Sequence, residues 1–151
     1  MSMRFRYAQF RVAQPIWTLR GRMTRPKPIV PVCLLGPLNH WVSDCFLDPG
    51  SDETVFPQHV AAFVGIDLTT APTGGASGVG KVPAVLHYAE VTLRVQDKVE
   101  QHEWLARIAF TSAPLKRPLV GIAGFFEYFT ATFFGDIEEA ELTTNSKFPG
   151  T

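Results

Sequence analysis

The sequence predicts an all-β protein that folds as one domain, and three observations support this. Of its 151 residues 46% are apolar, which suffices for a buried core and excludes disorder for most of the chain. Twelve Gly and twelve Pro separate short runs of β-branched and aromatic residues, as is typical of strands joined by tight turns. Several runs also alternate between apolar and polar residues. We therefore expect a closed β-barrel or sandwich with one or two short helices.

The first half of the chain contains a predicted strand and a predicted hairpin. Residues 4–12 alternate well enough for a strand, whereas residues 13–28 are interrupted by Pro and are expected to form a connection. Two apolar runs, Ile29–Leu35 and Trp41–Leu47, flank the turn-forming sequence Gly-Pro-Leu-Asn at 36–39. The second strand of this hairpin leads directly into an acidic residue.

A short helix and a loop are predicted next. Pro57–Gly65 has Pro in the first turn, where a missing N–H is no loss, and Gly where the helix stops. Residues 69–83 are rich in Gly and Pro, so we expect a mobile loop or the tip of a hairpin.

The second half reads as further strands and a tail. The strand patterns share alternating or β-branched apolar residues, and they lie at Val85–Val95, Trp104–Phe110, Leu119–Gly121 and Tyr128–Phe134, with a turn or helix near Phe125 and Phe126. Residues 143–151 are expected to fray. The predicted organisation is an N-terminal strand and connection (1–27), a main domain (28–135) and an acidic C-terminal tail (136–151).

Charge is distributed unevenly in a chain whose formal net charge is zero. Seven cations precede the first acid, Asp44, and four acids cluster near the end; they are Arg4, Arg6, Arg11, Arg20, Arg22, Arg25 and Lys27, and Asp136, Glu138, Glu139 and Glu141. One interpretation is a nucleic-acid-binding arm. The interpretation we favour is a solvated face that complements the acidic end within or between chains, so a nucleic-acid partner is not expected.

Neither a membrane partner nor a metal is expected. No apolar run approaches the roughly 18 residues of a membrane span, and no signal-peptide pattern follows the N-terminal arginines, so we expect a cytoplasmic protein. Cys33 and Cys45 are then reduced core thiols, which a hairpin could bring face to face. The four His residues are scattered without ligand spacing, and no metal site is predicted.

One stretch of the sequence carries candidate chemistry. The strand ending Cys45-Phe46-Leu47 runs into Asp48-Pro49-Gly50-Ser51, and Thr54-Val55-Phe56-Pro57 follows. A Gly-rich segment comes at 74–81, and Leu119-Val120-Gly121 lies near the end of the predicted strands. Taken alone, Asp-Pro-Gly-Ser is an ordinary surface turn. Its position between two apolar segments, with a second Gly motif farther on, favours a functional loop.

In its order of motifs the chain resembles the retropepsin-like aspartic proteases, the single-domain family that includes retroviral proteases and bacterial relatives. The resemblance covers roughly residues 28–134. It implies a catalytic Asp48, an active-site loop of Pro49, Gly50 and Ser51, and a flap that includes Gly78, Val79 and Gly80. It also implies a peptide or protein substrate, and neither a metal nor an organic cofactor.

The resemblance implies a homodimer, because the chain has one Asp-x-Gly turn of this kind. Two Asp48 carboxyls that meet cannot both ionise cheaply, so the pair keeps one proton over a useful pH range. The ionised carboxyl then activates a water as general base, and the protonated one polarises the scissile carbonyl. The expected function is that of a homodimeric aspartic endopeptidase.

Pro49 departs from the family pattern, which has Thr or Ser at this position. Proline has neither the hydroxyl nor the N–H that would help join the two active-site loops across a dimer. Ser51 remains in a position to hydrogen-bond the Asp48 carboxylate, and Gly50 allows close backbone approach. The alternative is therefore a catalytically inactive homodimer of the same fold that serves as a peptide-binding or scaffolding module.

A second motif match is rejected. Residues 75–81 fit the first seven positions of the phosphate-binding pattern G-x-x-x-x-G-K-[ST], but Val82 occupies the place of the magnesium-binding hydroxyl. The pattern also needs a strand before it and a helix after it, whereas Val82-Pro83 leads into a strand pattern. A nucleotide site is not expected, and the chain shows no arrangement of a serine hydrolase.

Overall fold

The computed structural model describes residues 2–77 and 83–150, except for the side chains of residues 76, 77, 83 and 84. The expected flap residues Gly78, Val79 and Gly80 lie outside the described residues. The described part contains one α-helix, α1 (Gln58–Val64), and twelve strands: β1 (Met3–Arg6), β2 (Ala8–Ile16), β3 (Arg22–Lys27), β4 (Ile29–Leu35), β5 (His40–Leu47), β6 (Val55–Pro57), β7 (Thr73–Ser77), β8 (Pro83–Gln96), β9 (Gln101–Thr111), β10 (Leu119–Val120), β11 (Phe129–Phe134) and β12 (Glu139–Thr144).

Six strands close into a barrel, in the spatial order β4-β5-β10-β6-β9-β8, with β8 pairing back onto β4. The prediction of an all-β fold with a closed barrel and few helices is confirmed. Apolar side chains that alternate along these strands fill the interior, among them Val32, Leu34, Leu47, Phe56 and Phe110, each fully buried. Closing the sheet on itself leaves few unpaired edges, which is one way in which β proteins avoid aggregation.

The local elements predicted from turn and cap residues are present. β4 and β5 pair antiparallel from Ile29–Phe46 to Leu35–His40, as the hairpin prediction requires. Helix α1 follows Pro57 and ends at Gly65, whose φ of 88° is a left-handed conformation that suits glycine. In the segment expected to be a mobile loop or hairpin tip, β7 pairs antiparallel with β8, which makes it one arm of a hairpin.

The C-terminal residues are not the frayed acidic tail that the sequence suggested. β12 lies between β1 and β11 in a three-stranded sheet, and its Ala140 and Leu142 are buried. Beyond it, the Phe148 ring packs 5.9 Å from that of Trp104, measured between centroids. Alternation in Glu-Ala-Glu-Leu directs the apolar residues inward and the acids outward, so an acidic composition is compatible with a strand.

Residues 13–28 are likewise not a connection. β2 and β3 pair antiparallel from Ala8–Lys27 to Ile16–Arg22, with a register shift between Arg11 and Ile16. The strand expected at 4–12 is divided at Tyr7 into β1 and β2. Apart from their pairing with each other, β2 and β3 make few contacts with other elements of the chain. Such a two-stranded ribbon buries too few side chains to give its sequence a clear apolar face. The sequence therefore indicated a connection at residues 13–28 and not a pair of strands.

The basic N-terminal strands and the acidic C-terminal strand contact each other within one subunit. The favoured interpretation of the charge pattern allowed this arrangement within a chain or between chains. Arg22 binds Glu138 through two guanidinium nitrogens, at 2.7 and 2.9 Å. Arg4 contacts Glu141 at 3.1 Å. Through its hydrogen bond, Arg22 holds the pKa of the Glu138 carboxyl below its ordinary value.

Cys33 and Cys45 are free and buried, but they do not face each other: Cys33 is opposite Val42, and Cys45 is opposite Val30. Burial raises the pKa of both thiols, which makes them weakly reactive. Among residues 2–77 and 83–150, no helix has the length and apolar character to cross a membrane.

Candidate active-site loop

The loop that contains Asp48 connects two strands that are not neighbours. β5 ends at Leu47 and β6 begins at Val55, and β10 lies between them. β10 runs parallel to β5, with Val120 beside Leu47, and antiparallel to β6, with Leu119 beside Val55. The loop must therefore cross the end of β10. Its contacts with β10 and with the residues that follow β10 restrain its two ends and its middle.

Asp48 is held by its backbone at the end of β5. Its N–H donates to the carbonyl of Val120 at 3.0 Å, and its carbonyl accepts the N–H of Ser51 at 3.0 Å, which closes a tight turn. The Oδ1 atom accepts the N–H of Gly50 at 3.0 Å. The side chain is half-buried, whereas Pro49 and Gly50 are exposed. The carboxylate is thus positioned by the turn yet remains accessible from outside.

Thr54 joins the far end of the loop to the chain after β10. This threonine is fully buried, and its hydroxyl donates to the carbonyl of Ala123 at 2.8 Å. The same oxygen accepts the N–H of Gly121 at 3.1 Å. Buried polar groups are stable only when they find such partners, so the pair of bonds fixes the register between the two segments.

The backbone also approaches closely at Gly121. A Cβ atom there would collide with the carbonyl oxygen of Glu53, so only glycine fits. The next two N–H groups, of Ile122 and Ala123, donate to the carbonyls of Ser51 and Asp52, each at 2.9 Å. Every residue from Ser51 to Thr54 except Glu53 is therefore hydrogen-bonded to the segment that follows β10.

A buried tryptophan supports this segment from behind. The Trp104 side chain is 2% exposed, and its indole N–H donates to the carbonyl of Gly124 at 2.8 Å. Gly124 lies within the turn Ile122–Phe126 and has a φ of 89°, a left-handed conformation that suits glycine. The Phe125 ring packs 5.8 Å from Trp104 between centroids. The alternating pattern of Trp104–Phe110 predicted a strand here but did not predict this hydrogen bond.

Ser51 does not have the role that the sequence suggested. Its hydroxyl donates to the carbonyl of Glu53 at 2.7 Å and not to the Asp48 carboxylate. The sequence motif included Thr54 without assigning it a structural role. Its side chain joins the loop to residues 121–124, which follow β10 and are called the Gly121 segment below. A threonine directly before an apolar strand was the available signal.

Two more acids lie in the loop. Burial, and secondly the charge of the neighbouring Asp52, raise the pKa of the Glu53 carboxyl. Asp52 is exposed. Within the described part of the chain, no group of three His, Cys, Asp or Glu side chains is arranged to hold a metal ion.

Two depressions of the surface lie away from Asp48. One, of about 410 Å³, is lined by residues of β4, β8 and β9 and the turn at Gly36, and the other, of about 510 Å³, lies at Trp17–Gly21. The rejected phosphate-binding motif begins in β7, and the chain resumes after the undescribed residues as strand β8, not as a helix.

No model of a known protein family matches the chain, and no curated protein matches it in sequence.

Proposed function

We propose that the protein is a homodimeric aspartic endopeptidase in which Asp48 of each subunit forms a catalytic pair. The observation that carries the proposal is the loop between β5 and β6: it positions a half-buried carboxylate at the end of a strand and is hydrogen-bonded to the Gly121 segment. Precise placement of an acid by backbone contacts is what general acid–base catalysis requires. The resemblance of the sequence motifs to the retropepsin-like family supports the same assignment.

The need for two subunits follows from the chemistry of the single loop. Among the described residues, the hydrogen bond that the Asp48 carboxylate accepts comes from Gly50, and the neighbouring ionisable groups in the loop are acids. No second carboxyl among the described residues is hydrogen-bonded to the Asp48 side chain, so the proposal takes the second acid from another subunit. The exposed Pro49 and Gly50 leave the tip of the loop open to an identical loop on a two-fold axis.

The mechanism uses one proton between two carboxyls. When the two Asp48 side chains meet, their repulsion keeps one of them protonated. The ionised one removes a proton from a water, and the protonated one donates a hydrogen bond to the scissile carbonyl. The pair titrates as a unit, so its two apparent pKa values belong to neither Asp alone. The Gly-rich residues Gly78–Gly80 are proposed to cover an extended peptide substrate.

The alternative function is a dimeric peptide-binding or scaffolding module without catalysis. Two observations favour it: Pro49 offers neither an N–H nor a hydroxyl to a facing loop, and the Ser51 hydroxyl is directed at Glu53. A module of this kind would bind extended peptides by adding a strand to the sheet. It would not need the Asp48 carboxylate in any particular protonation state.

The decisive experiment compares Asp48→Asn with Asp52→Asn. Both substitutions remove one negative charge from the same loop, but only Asp48 is proposed to act on substrate. Cleavage of a mixed peptide library, read by mass spectrometry, should be lost in Asp48→Asn by at least about a thousandfold and kept in Asp52→Asn. Sedimentation should give the same dimer for both. Equal cleavage by the two variants would exclude the proposal.

Binding of a transition-state peptide mimic distinguishes the two candidate functions. A hydroxyl-containing mimic should bind the wild-type protein more tightly at pH 5 than at pH 8, because the shared proton is kept in mild acid. Asp48→Asn should lose this pH dependence. Binding that is equal at both pH values, and equal in the variant, would indicate the scaffolding module instead.

A further inference from the structure

The chain that follows β12 turns back against the protein. Residues 145–150, called the C-terminal strap below, begin with a turn in which the Asn145 side chain accepts the N–H of Lys147 at 2.9 Å. The carbonyl of Asn145 accepts the N–H of Phe148 at 3.1 Å. Lys147 is exposed, whereas Phe148 is partly buried. The turn therefore leaves one large apolar side chain of the strap packed on the protein.

The Phe148 ring lies in an aromatic cluster. It contacts three rings at centroid distances from 5.4 to 5.9 Å, and they belong to Phe129, His102 and Trp104. Edge-to-face contacts of this kind are favourable beyond the area that they bury. The strap backbone also approaches β9, because a Cβ atom at Gly150 would collide with the carbonyl of Glu103. Packing thus holds the far half of the strap.

Hydrogen bonds from Asn145 hold the near half. Its N–H donates to the carbonyl of Tyr128 at 2.9 Å, and its side-chain amide donates to the carbonyl of Glu127 at 3.1 Å. Glu127 is bound in turn to the Gly121 segment, because its Oε1 atom accepts the N–H of Gly124 at 2.7 Å. One residue therefore connects Asn145 to the segment that holds the Asp48 loop.

Both ends of the strap contact a residue that binds Gly124. Glu127 accepts the N–H of Gly124, and Trp104 donates to its carbonyl at 2.8 Å. The residue before it, Ala123, accepts the Thr54 hydroxyl of the Asp48 loop. Coupling between distant sites is carried by contiguous packing and hydrogen bonds of this kind. The strap is therefore joined to the loop by an unbroken set of contacts.

The strap is also an element that can open while the barrel stays folded. Half of its six residues are exposed: Ser146, Lys147 and Pro149. Among the residues that the structure describes, its hydrogen bonds to the rest of the chain are the two from Asn145. Terminal segments with few buried contacts open at a small fraction of the free energy of global unfolding. The order of the Asp48 loop can therefore depend on whether the strap is docked.

We infer that the C-terminal strap holds the Asp48 loop in its ordered conformation and that Phe148 and Asn145 are positioning residues. Phe148 acts through Trp104, and Asn145 acts through Glu127. A docked strap fixes both hydrogen bonds of Gly124, and a released strap loosens the loop and slows the proposed cleavage. The effect on catalysis rests on the proposed function, whereas the order of the loop can be measured without it.

Hydrogen exchange followed by NMR tests the inference. Phe148→Ala should accelerate exchange in the Gly121 segment at least about fivefold more than at Val32 and Leu34, which are buried in β4. Amides in the centre of the barrel report global unfolding, so a loss of overall stability accelerates both sets equally. Phe148→Leu, which keeps an apolar side chain, should recover part of the protection. Asn145→Ala should accelerate exchange chiefly at Gly124.

Two control variants separate position from side-chain type. Lys147→Ala changes an exposed side chain of the strap and keeps the backbone N–H that Asn145 accepts, so exchange should match wild type. Phe133→Ala removes another phenyl ring, from a side chain that is 38% exposed and lies off the strap. Any change that it causes should be equal at the Gly121 segment and at Val32. Circular dichroism checks that each variant is folded.

Peptide cleavage gives a second measurement. Phe148→Ala should lower kcat and keep KM within about twofold, because the residue acts on the loop and not on the substrate. The outcomes remain distinguishable from those for the proposed function. Faster exchange confined to the Gly121 segment upholds the strap even if the wild-type protein cleaves no peptide. Exchange that is unchanged there, or raised equally at Val32, overturns the strap even if Asp48 is catalytic.

Discussion

The Thr54 hydroxyl accepts the backbone N–H of Gly121 at 3.1 Å, across 67 residues of sequence. It donates at the same time to the carbonyl of Ala123. This relationship ties the loop after Asp48 to the segment after β10. The position of the Asp48 carboxylate therefore depends on a contact between two distant parts of the chain.

Replacing Thr54 by Val tests that contact. The isosteric substitution leaves the buried N–H of Gly121 and the partly buried carbonyl of Ala123 without their partner, which should lower the free energy of unfolding by about 1–3 kcal/mol. Urea denaturation measures the loss. Thr54→Ser, which keeps the hydroxyl, should recover part of it. Thr132→Val, the same change at an exposed strand position, should stay within about 0.5 kcal/mol of wild type.

Gly121→Ala tests the close approach of the two segments. The added methyl group would collide with the carbonyl of Glu53, so the loop must move or the segment must shift. We expect a loss of about 1–3 kcal/mol in the free energy of unfolding, together with a lower rate of the proposed peptide cleavage. Gly135→Ala is the control, because a Cβ atom there meets nothing within 4 Å. Equal stability of the two variants would contradict the assigned role.

Pro49→Thr tests whether the unusual residue in the loop limits function. Threonine adds an N–H and a hydroxyl at the exposed tip, so the proposed dimer or the proposed cleavage activity should strengthen, by a few-fold for one added hydrogen bond. Sedimentation and peptide cleavage measure the two effects. Pro114→Thr, at another exposed position, controls for the change in chain entropy. Loss of both properties would show that the proline is required.

The Arg22–Glu138 pair predicts a pH-dependent contribution to stability. The hydrogen bond from Arg22 lowers the pKa of Glu138 in the folded protein, so the pair stabilises the fold above the unfolded pKa of Glu, about 4.3. The contribution is lost as pH falls through the lowered folded pKa. Arg22→Gln should therefore be less stable than wild type at pH 7, and the difference should vanish in stronger acid.

Thermal unfolding from pH 7 to pH 2 measures this effect, with Arg6→Gln as the control, because Arg6 is exposed and forms no ion pair among the described residues. Added salt should reduce the difference at pH 7, since the pair is near the surface. A difference that persists unchanged at pH 2 would show that Arg22 acts through packing and not through charge.

Local signals predicted much of the fold. The hairpin of β4 and β5 followed from two apolar runs around a turn sequence, and the end of α1 followed from Gly65. The same signals failed for β3 and β12. β3 lies in a half-solvated ribbon without a strong apolar face, and the charged residues of β12 resembled a tail, although Ala140 and Leu142 alternate inward.

The sequence by itself determined where the β4–β5 hairpin turns, where α1 ends, and that a single Asp-Pro-Gly-Ser turn follows an apolar strand. These features depend on periods of two residues and on the conformational preferences of Gly and Pro, which act within a few residues. Only the tertiary structure decided that β10 lies between β5 and β6, that Thr54 binds the Gly121 segment, and that Arg22 binds Glu138. Such choices arise from packing and hydrogen bonding between residues far apart in the chain, where no local preference operates.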